Sequence, residues 1–164
     1  MTLRADAQRN YDRLLGAACE CFAEEGLEVS VDEIARRAGV GHGTAFRRFP
    51  TKEALVEAVI ARELERVLGE ARALLDEPDA GAAFEAFFRA VARGYERNKA
   101  MADGYARCSE LPQKAELREV AKALVRRAQK AGALRTDLTT DELFELVPAA
   151  SRFPDVILDG LRRA

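Results

Sequence analysis

Two short runs of helical periodicity, joined through Gly39-Val40-Gly41, constrain this chain more than any other feature. In VDEIARRA (31–38), Val31, Ile34, Ala35 and Ala38 fall on one helical face. Gly39-Val40-Gly41 then interrupts, and a second helical segment covers about 43–48, ending before Pro50, which disfavours helix at the residue preceding it. Gly39 can take the left-handed conformation that reverses a chain tightly. Val40 offers one apolar side chain at the corner. Ala45 and Phe49, four apart, can face the first segment. Gly43, Thr44 and Arg47 then project to the other side, with His42 and Arg48 flanking. Two helices held at such a corner form a helix-turn-helix, whose second helix keeps a free polar face.

The rest of the chain reads as all-α. Tyr11, Leu14, Leu15, Ala18 and Phe22 make an apolar stripe, which predicts a helix over 8–24 that ends at Gly26. Ser30 is placed to cap 31–38, and Glu33 completes a Ser-x-x-Glu capping box. Thr51 caps a long helix over 52–75, and DEPDAG (76–81) is the clearest loop. An aromatic helical face follows, then a break near 98–104, a segment near 105–111 and a helix over 113–131 closed by Gly132. Thr139-x-x-Glu142 repeats the capping-box signal before a helix over 140–151, and a last helix covers 154–163. The expected division is a three-helix head over 1–52 and a helical body over 53–164.

Composition narrows the function classes. The 164 residues are nearly half apolar and one third charged, with a net charge of −2, so nucleic-acid affinity has to come from a local patch. No apolar run approaches the ~20 residues that span a bilayer. The N-terminus lacks a signal-peptide core, which makes the cytoplasm the expected location. The three cysteines do not read as a disulfide framework. Cys19 and Cys21 point apart on a helix and have no second ligand pair, so no metal is expected. His42, the one histidine, has no nucleophile partner. Glu110, Glu116 and Glu119 read as a solvated helix face, and no phosphate or dinucleotide fingerprint exists. We therefore expect no enzyme activity and no cofactor.

Five basic side chains lie between Arg36 and Lys52 with no acid among them. Arginine can bond guanine O6 and N7 in bidentate fashion, and Thr44 can meet a thymine methyl or a phosphate. Gly41 and Gly43 allow close backbone approach. Ser30, Thr51 and Lys52 stand at helix starts, where free N–H groups and the dipole favour a phosphate. Two other readings stand beside this one: a solvated face of a helical bundle, and a patch that binds an acidic protein partner.

LLGAACECFAEEGLEVSVDEIARRAGVGHGTAFRRFPTKEALVEAVI (14–60) resembles the N-terminal DNA-binding region of TetR-family transcriptional regulators. The resemblance rests on CFAEEG, SVDEIARRAGV, GTxxRRF and FPTKEAL, in that order. It implies a homodimer that binds a double-stranded, palindromic DNA operator. It also implies a helical body that takes a small-molecule effector and releases the DNA, so that the protein acts as a repressor. Ser30 then matches a phosphate-contacting cap. Gly41, His42, Gly43, Thr44, Phe46, Arg47 and Arg48 match the recognition helix and its start, and Thr51 and Lys52 match the phosphate-binding start of the next helix. Three positions depart from the family. Phe46 replaces a tyrosine whose hydroxyl bonds a phosphate. Ala45 replaces a leucine. Gly41-His42 replaces a pair such as Ser-Lys, which leaves His42 as a weaker, pH-dependent phosphate partner.

In the body, Phe84, Phe87, Phe88, Tyr95, Met101, Tyr105 and Cys108 are candidates to line an apolar or weakly polar effector pocket. The alternative is that they fill the bundle core. By the resemblance, the last two helices pair across a two-fold axis, with Leu143, Phe144, Val147, Val156, Ile157 and Leu161 as dimerisation candidates. The C-terminal region is short for the family, and LVPAASRFPDVILDGLRR passes from one helix to the next near Ser151–Arg152 with almost no connection.

Overall fold

The computed structural model describes residues 3–97 and 111–162. They form nine α-helices, with no strand among the described residues: α1 (Leu3–Glu25), α2 (Val31–Ala38), α3 (His42–Arg48), α4 (Lys52–Ala73), α5 (Ala80–Arg97), α6 (Pro112–Lys130), α7 (Thr140–Glu145), α8 (Val147–Ala150) and α9 (Pro154–Leu161). The all-α expectation holds. The break near 98–104 and nearly all of the segment near 105–111, with Met101, Tyr105 and Cys108, lie outside the described residues.

Two compact units divide within α4, between Arg62 and Glu63. The sequence division at 52/53 falls ten residues earlier, at the start of that helix. The reason lies in burial, because Leu55, Val56, Val59 and Ile60 of the first turns of α4 are all core residues of the first unit.

In the first unit the α1 stripe is buried through Leu14, Leu15, Ala18, Cys21 and Phe22. Helix α1 packs on α2, and α2 on α3. Gly26 stops α1 at φ 79°, and Gly39 stops α2 at φ 63°, the left-handed region that disfavours a Cβ. The N–H of Val40 returns to the Ala35 carbonyl at 3.0 Å, and the Val40 side chain is buried at the corner.

In the second unit α5 packs against α6 and α8, and α9 against α8. Arg127 of α6 donates to the carbonyls of Leu74 and Leu75 at 3.1 and 2.6 Å, satisfying groups exposed where α4 ends in a 3-10 turn over Leu74–Asp76. Thr139 makes the full capping box: its N–H donates to Glu142 Oε2 at 2.8 Å, and its Oγ1 accepts from the Glu142 N–H at 3.2 Å. The single helix expected over 140–151 is instead two short ones, α7 and α8. Pro148 has no N–H to donate and its ring crowds the carbonyl four residues back, so the helix cannot run through it unbroken.

Candidate nucleic-acid interface

Helix α3 sorts its side chains by face. Ala45 is fully buried and Phe49 is 4% exposed, while Gly41, His42, Gly43, Arg47 and Arg48 are exposed. A Cβ added at Gly41 or Gly43 would meet no atom of the protein within 4 Å. Packing inside the protomer therefore demands glycine at neither position. What their smallness leaves is an unobstructed backbone on the outer face of α3.

The arginines separate into two pairs by their partners. Arg37 donates to Glu24 at 2.9 Å and to Glu33 at 3.1 Å, and also pairs with Glu25. Arg36 donates to Glu33 at 2.9 Å. Hydrogen bonds from Arg36 and then Arg37 hold the Glu33 carboxyl down at about 2. The charges of Arg36 and Arg37 are thus answered within the protein. Arg47 and Arg48 differ. Arg47 Nη2 donates to Thr44 Oγ1 at 3.4 Å, and the Arg48 guanidinium lies 4.5 Å from the Tyr11 ring centroid. Among the described residues no carboxylate pairs with Arg47, Arg48 or Lys52. The apparent run of five cations is therefore three free ones and two that are neutralised.

Tyr11, half-buried on α1, stacks on Phe49 with centroids 5.6 Å apart. It forms one wall of an open cleft of about 190 Å³, shared with Asn10 on α1 and with Thr44, Arg47 and Arg48 on α3. The sequence stripe marked Tyr11 only as a core residue. Its outward role depends on a contact across 37 positions, which helical periodicity cannot show.

The remaining candidates are placed as follows. Ser30 caps α2, its Oγ accepting from the Glu33 N–H at 3.2 Å. The capping box expected there is only half made, because the Glu33 carboxylate is turned to Arg36 and Arg37 instead. Thr51 Oγ1 accepts from the Ala54 N–H at 3.1 Å at the start of α4. Phe46 is half-buried with its ring 4.4 Å from that of His42, so these two side chains fix one another. His42 Nδ1 faces Asp32 Oδ1 of α2, a contact across the turn that sequence reading missed.

In the second unit, Phe84, Phe87 and Phe88 are core residues, with Phe84 and Phe88 stacked at 6.1 Å, and Tyr95 is half-buried. Leu143, Val147 and Leu161 are buried within the protomer itself, while Phe144 is half-buried beneath the Arg118 guanidinium, 5.5 Å away. Ile157 is half-buried, Val156 is 70% exposed, and Phe153, which the sequence reading passed over, is 61% exposed. No helix among the described residues is long and apolar enough to cross a membrane.

Comparison with known proteins agrees with this geometry. The family model for bacterial regulatory proteins of the tetR family matches residues 14–59. A second model, the C-terminal domain of SbtR-like transcriptional regulators, matches residues 79–163. A TetR transcription regulatory protein from Mycobacterium vanbaalenii is 40% identical, with a TM-score of 0.75 over 98% of this chain and 99% of that one. A TetR transcriptional regulator from Streptomyces coelicolor is 32% identical, with a TM-score of 0.66 over 93% of this chain and 98% of that one. An HTH-type transcriptional regulator of Staphylococcus aureus (strain USA300) is 36% identical over 76 residues, 46% of this chain, and the match spans 41% of that regulator's length.

Proposed function

The chain belongs to the tetR family of bacterial transcriptional regulators, and on that premise we propose that it is a repressor that binds a palindromic DNA operator as a homodimer and is released by a small effector. The observation that carries the reading is the pair Arg47 and Arg48: exposed, on the free face of a helix-turn-helix, and without a carboxylate partner among the described residues.

Arg47, with Thr44 beside it, is the main base reader, and Arg48 a second cation at the groove. Ser30, Thr51 and Lys52 hold backbone phosphates, which set the register without reading sequence. Gly41 and Gly43 let the backbone come close to the groove. Phe46 has no hydroxyl to give a phosphate, and its part is to support His42. One short helix reads only a few base pairs. Two of them about one helical turn apart read an inverted repeat, which favours a two-fold dimer. The exposed Phe153 and Val156, next to Ile157, offer the apolar face for it.

The effector is small and apolar or weakly polar. Phe84, Phe87 and Phe88 on α5, with Tyr95, Met101, Tyr105 and Cys108 further along the chain, are its proposed contacts, and the Tyr hydroxyls would orient it. It acts only if it binds the DNA-free state more tightly than the DNA-bound one. Selection of duplexes from a random pool by the purified protein tests the reading. An inverted repeat should be enriched. A pool that stays random after several rounds would overturn it.

A further inference from the structure

Asp32 and His42 lie ten residues apart in sequence and meet at the start of the recognition helix, on the face that the regulator reading turns toward DNA. Asp32 Oδ1 faces His42 Nδ1, and the Phe46 ring lies 4.4 Å from the imidazole at a 35° tilt. Both polar side chains remain well exposed, at 62% for Asp32 and 67% for His42. From this we infer that Asp32 and His42 form a single base-reading unit, in which Asp32 positions His42 and fixes its tautomer so that the pair offers acceptors to the major groove and selects cytosine.

A carboxylate only accepts hydrogen bonds, so Nδ1 must carry the proton that joins the two side chains. In the neutral ring Nε2 is then left as an acceptor. Asp32 Oδ2 is a second acceptor beside it. Cytosine shows only its N4 amino donor in the major groove, whereas adenine sets an N7 acceptor next to its N6 amino group. Two neighbouring acceptors therefore fit cytosine best, tolerate adenine less well and reject guanine, whose groove edge is all acceptor. The same arrangement removes His42 from the phosphate role that its place in the sequence suggests. Neutral Nε2 has no proton to give a phosphate, and the Asp32 charge repels one. Of the neighbouring charges, Glu33 of α2 is engaged by Arg36 and Arg37, while Arg47 and Arg48 on α3 make their nearest contacts with Thr44 and Tyr11 and stay available to the DNA.

The inference rests on the regulator reading, and one experiment separates the two. Duplex selection is run with the wild type, Asp32→Ala, Asp32→Asn and His42→Ala, with thermal melting as a check on folding. The wild type should enrich one cytosine column in each half-site. Asp32→Ala and His42→Ala should each lower the preference there by about fivefold or more while the other columns persist. Asp32→Asn still accepts from Nδ1 and should keep more of the preference than Asp32→Ala. An operator identical for the wild type and a folded Asp32→Ala protein would overturn the inference and leave the regulator reading intact. No enrichment by the wild type would overturn both.

Discussion

The guanidinium of Arg48 lies over the ring of Tyr11, 4.5 Å from its centroid, and that ring in turn stacks on the buried Phe49. The recognition helix thus rests one of its two arginines on a platform supplied by α1. If the platform orders Arg48 for the DNA, the aromatic ring matters and the hydroxyl does not. Tyr11→Phe should bind operator like the wild type. Tyr11→Leu should bind several-fold more weakly, with a smaller salt slope and the same base preference. Salt-dependent titrations of both variants check this, with melting curves to compare folding. Equal affinity of the Leu and Phe variants would remove Arg48's support from the account.

Gly39 and Gly43 look alike in the sequence but are glycines for different reasons. Gly39 has φ 63° and open space around a built Cβ, so the cost of a side chain is in the backbone alone. Gly39→Ala should destabilise the protein by about 1–2 kcal/mol. Gly43 is helical and equally open, so Gly43→Ala should leave stability unchanged or raise it by up to about 1 kcal/mol. Its methyl group would instead stand on the groove-facing side and weaken operator binding several-fold. Denaturant melts and DNA titrations on the two variants should give opposite patterns.

This contrast shows what the sequence can carry. The turn, the inward faces of α2 and α3 and the helix caps follow from local spacing, so they are legible in the head. Three features are not, because each depends on side chains far apart in the chain. Tyr11 beneath Arg48 spans two helices. Asp32 against His42 crosses the turn. Arg37 looks free until Glu24 and Glu25 of α1 come alongside. The C-terminal candidates show the same limit. Leu143 and Val147 have the apolar character of an interface, yet burial places them inside the protomer's own core, while Val156 and Phe153 are left in the open.

The free cations should divide between two roles that binding measurements can separate. Arg47→Ala should cost ~1–3 kcal/mol on the preferred operator and relax the preference at the bases it reads. Lys52→Ala should weaken all sequences alike and lower the salt slope by about one. Binding selection together with salt titration tests both. An unchanged operator with Arg47→Ala, or an unchanged slope with Lys52→Ala, would contradict the respective role.

Glu33 gives the first unit a defined acid sensitivity. Its carboxyl is held at about 2 by hydrogen bonds from Arg36 and Arg37. In the unfolded chain it returns to about 4.3. Because the folded value is the lower one, the ion pairs contribute stability above the unfolded value, and that contribution is lost as pH falls toward 2. The site is exposed, so the effect is small. Glu33→Gln should lower the melting temperature slightly at neutral pH, and the gap from the wild type should close as pH falls below about 4. A gap of equal size at pH 3 and pH 7 would mean that the pairs do not stabilise the fold.

The exposed apolar face of α9 tests the dimer. Val156 is 70% exposed and Phe153 61%, so replacing either leaves the protomer core nearly untouched. An acid at the centre of a two-fold interface meets its own copy across the axis, and the two like charges would be buried together. Val156→Asp should therefore yield a monomer of normal melting behaviour. It should lose high affinity for an inverted repeat and keep weak binding to a single half-site. Leu158→Asp is the contrasting change, since Leu158 is 3% exposed and its replacement should unfold the second unit outright. Sedimentation and half-site titration of the two variants separate an interface residue from a core one. A Val156→Asp protein that remained dimeric would move the interface away from α9.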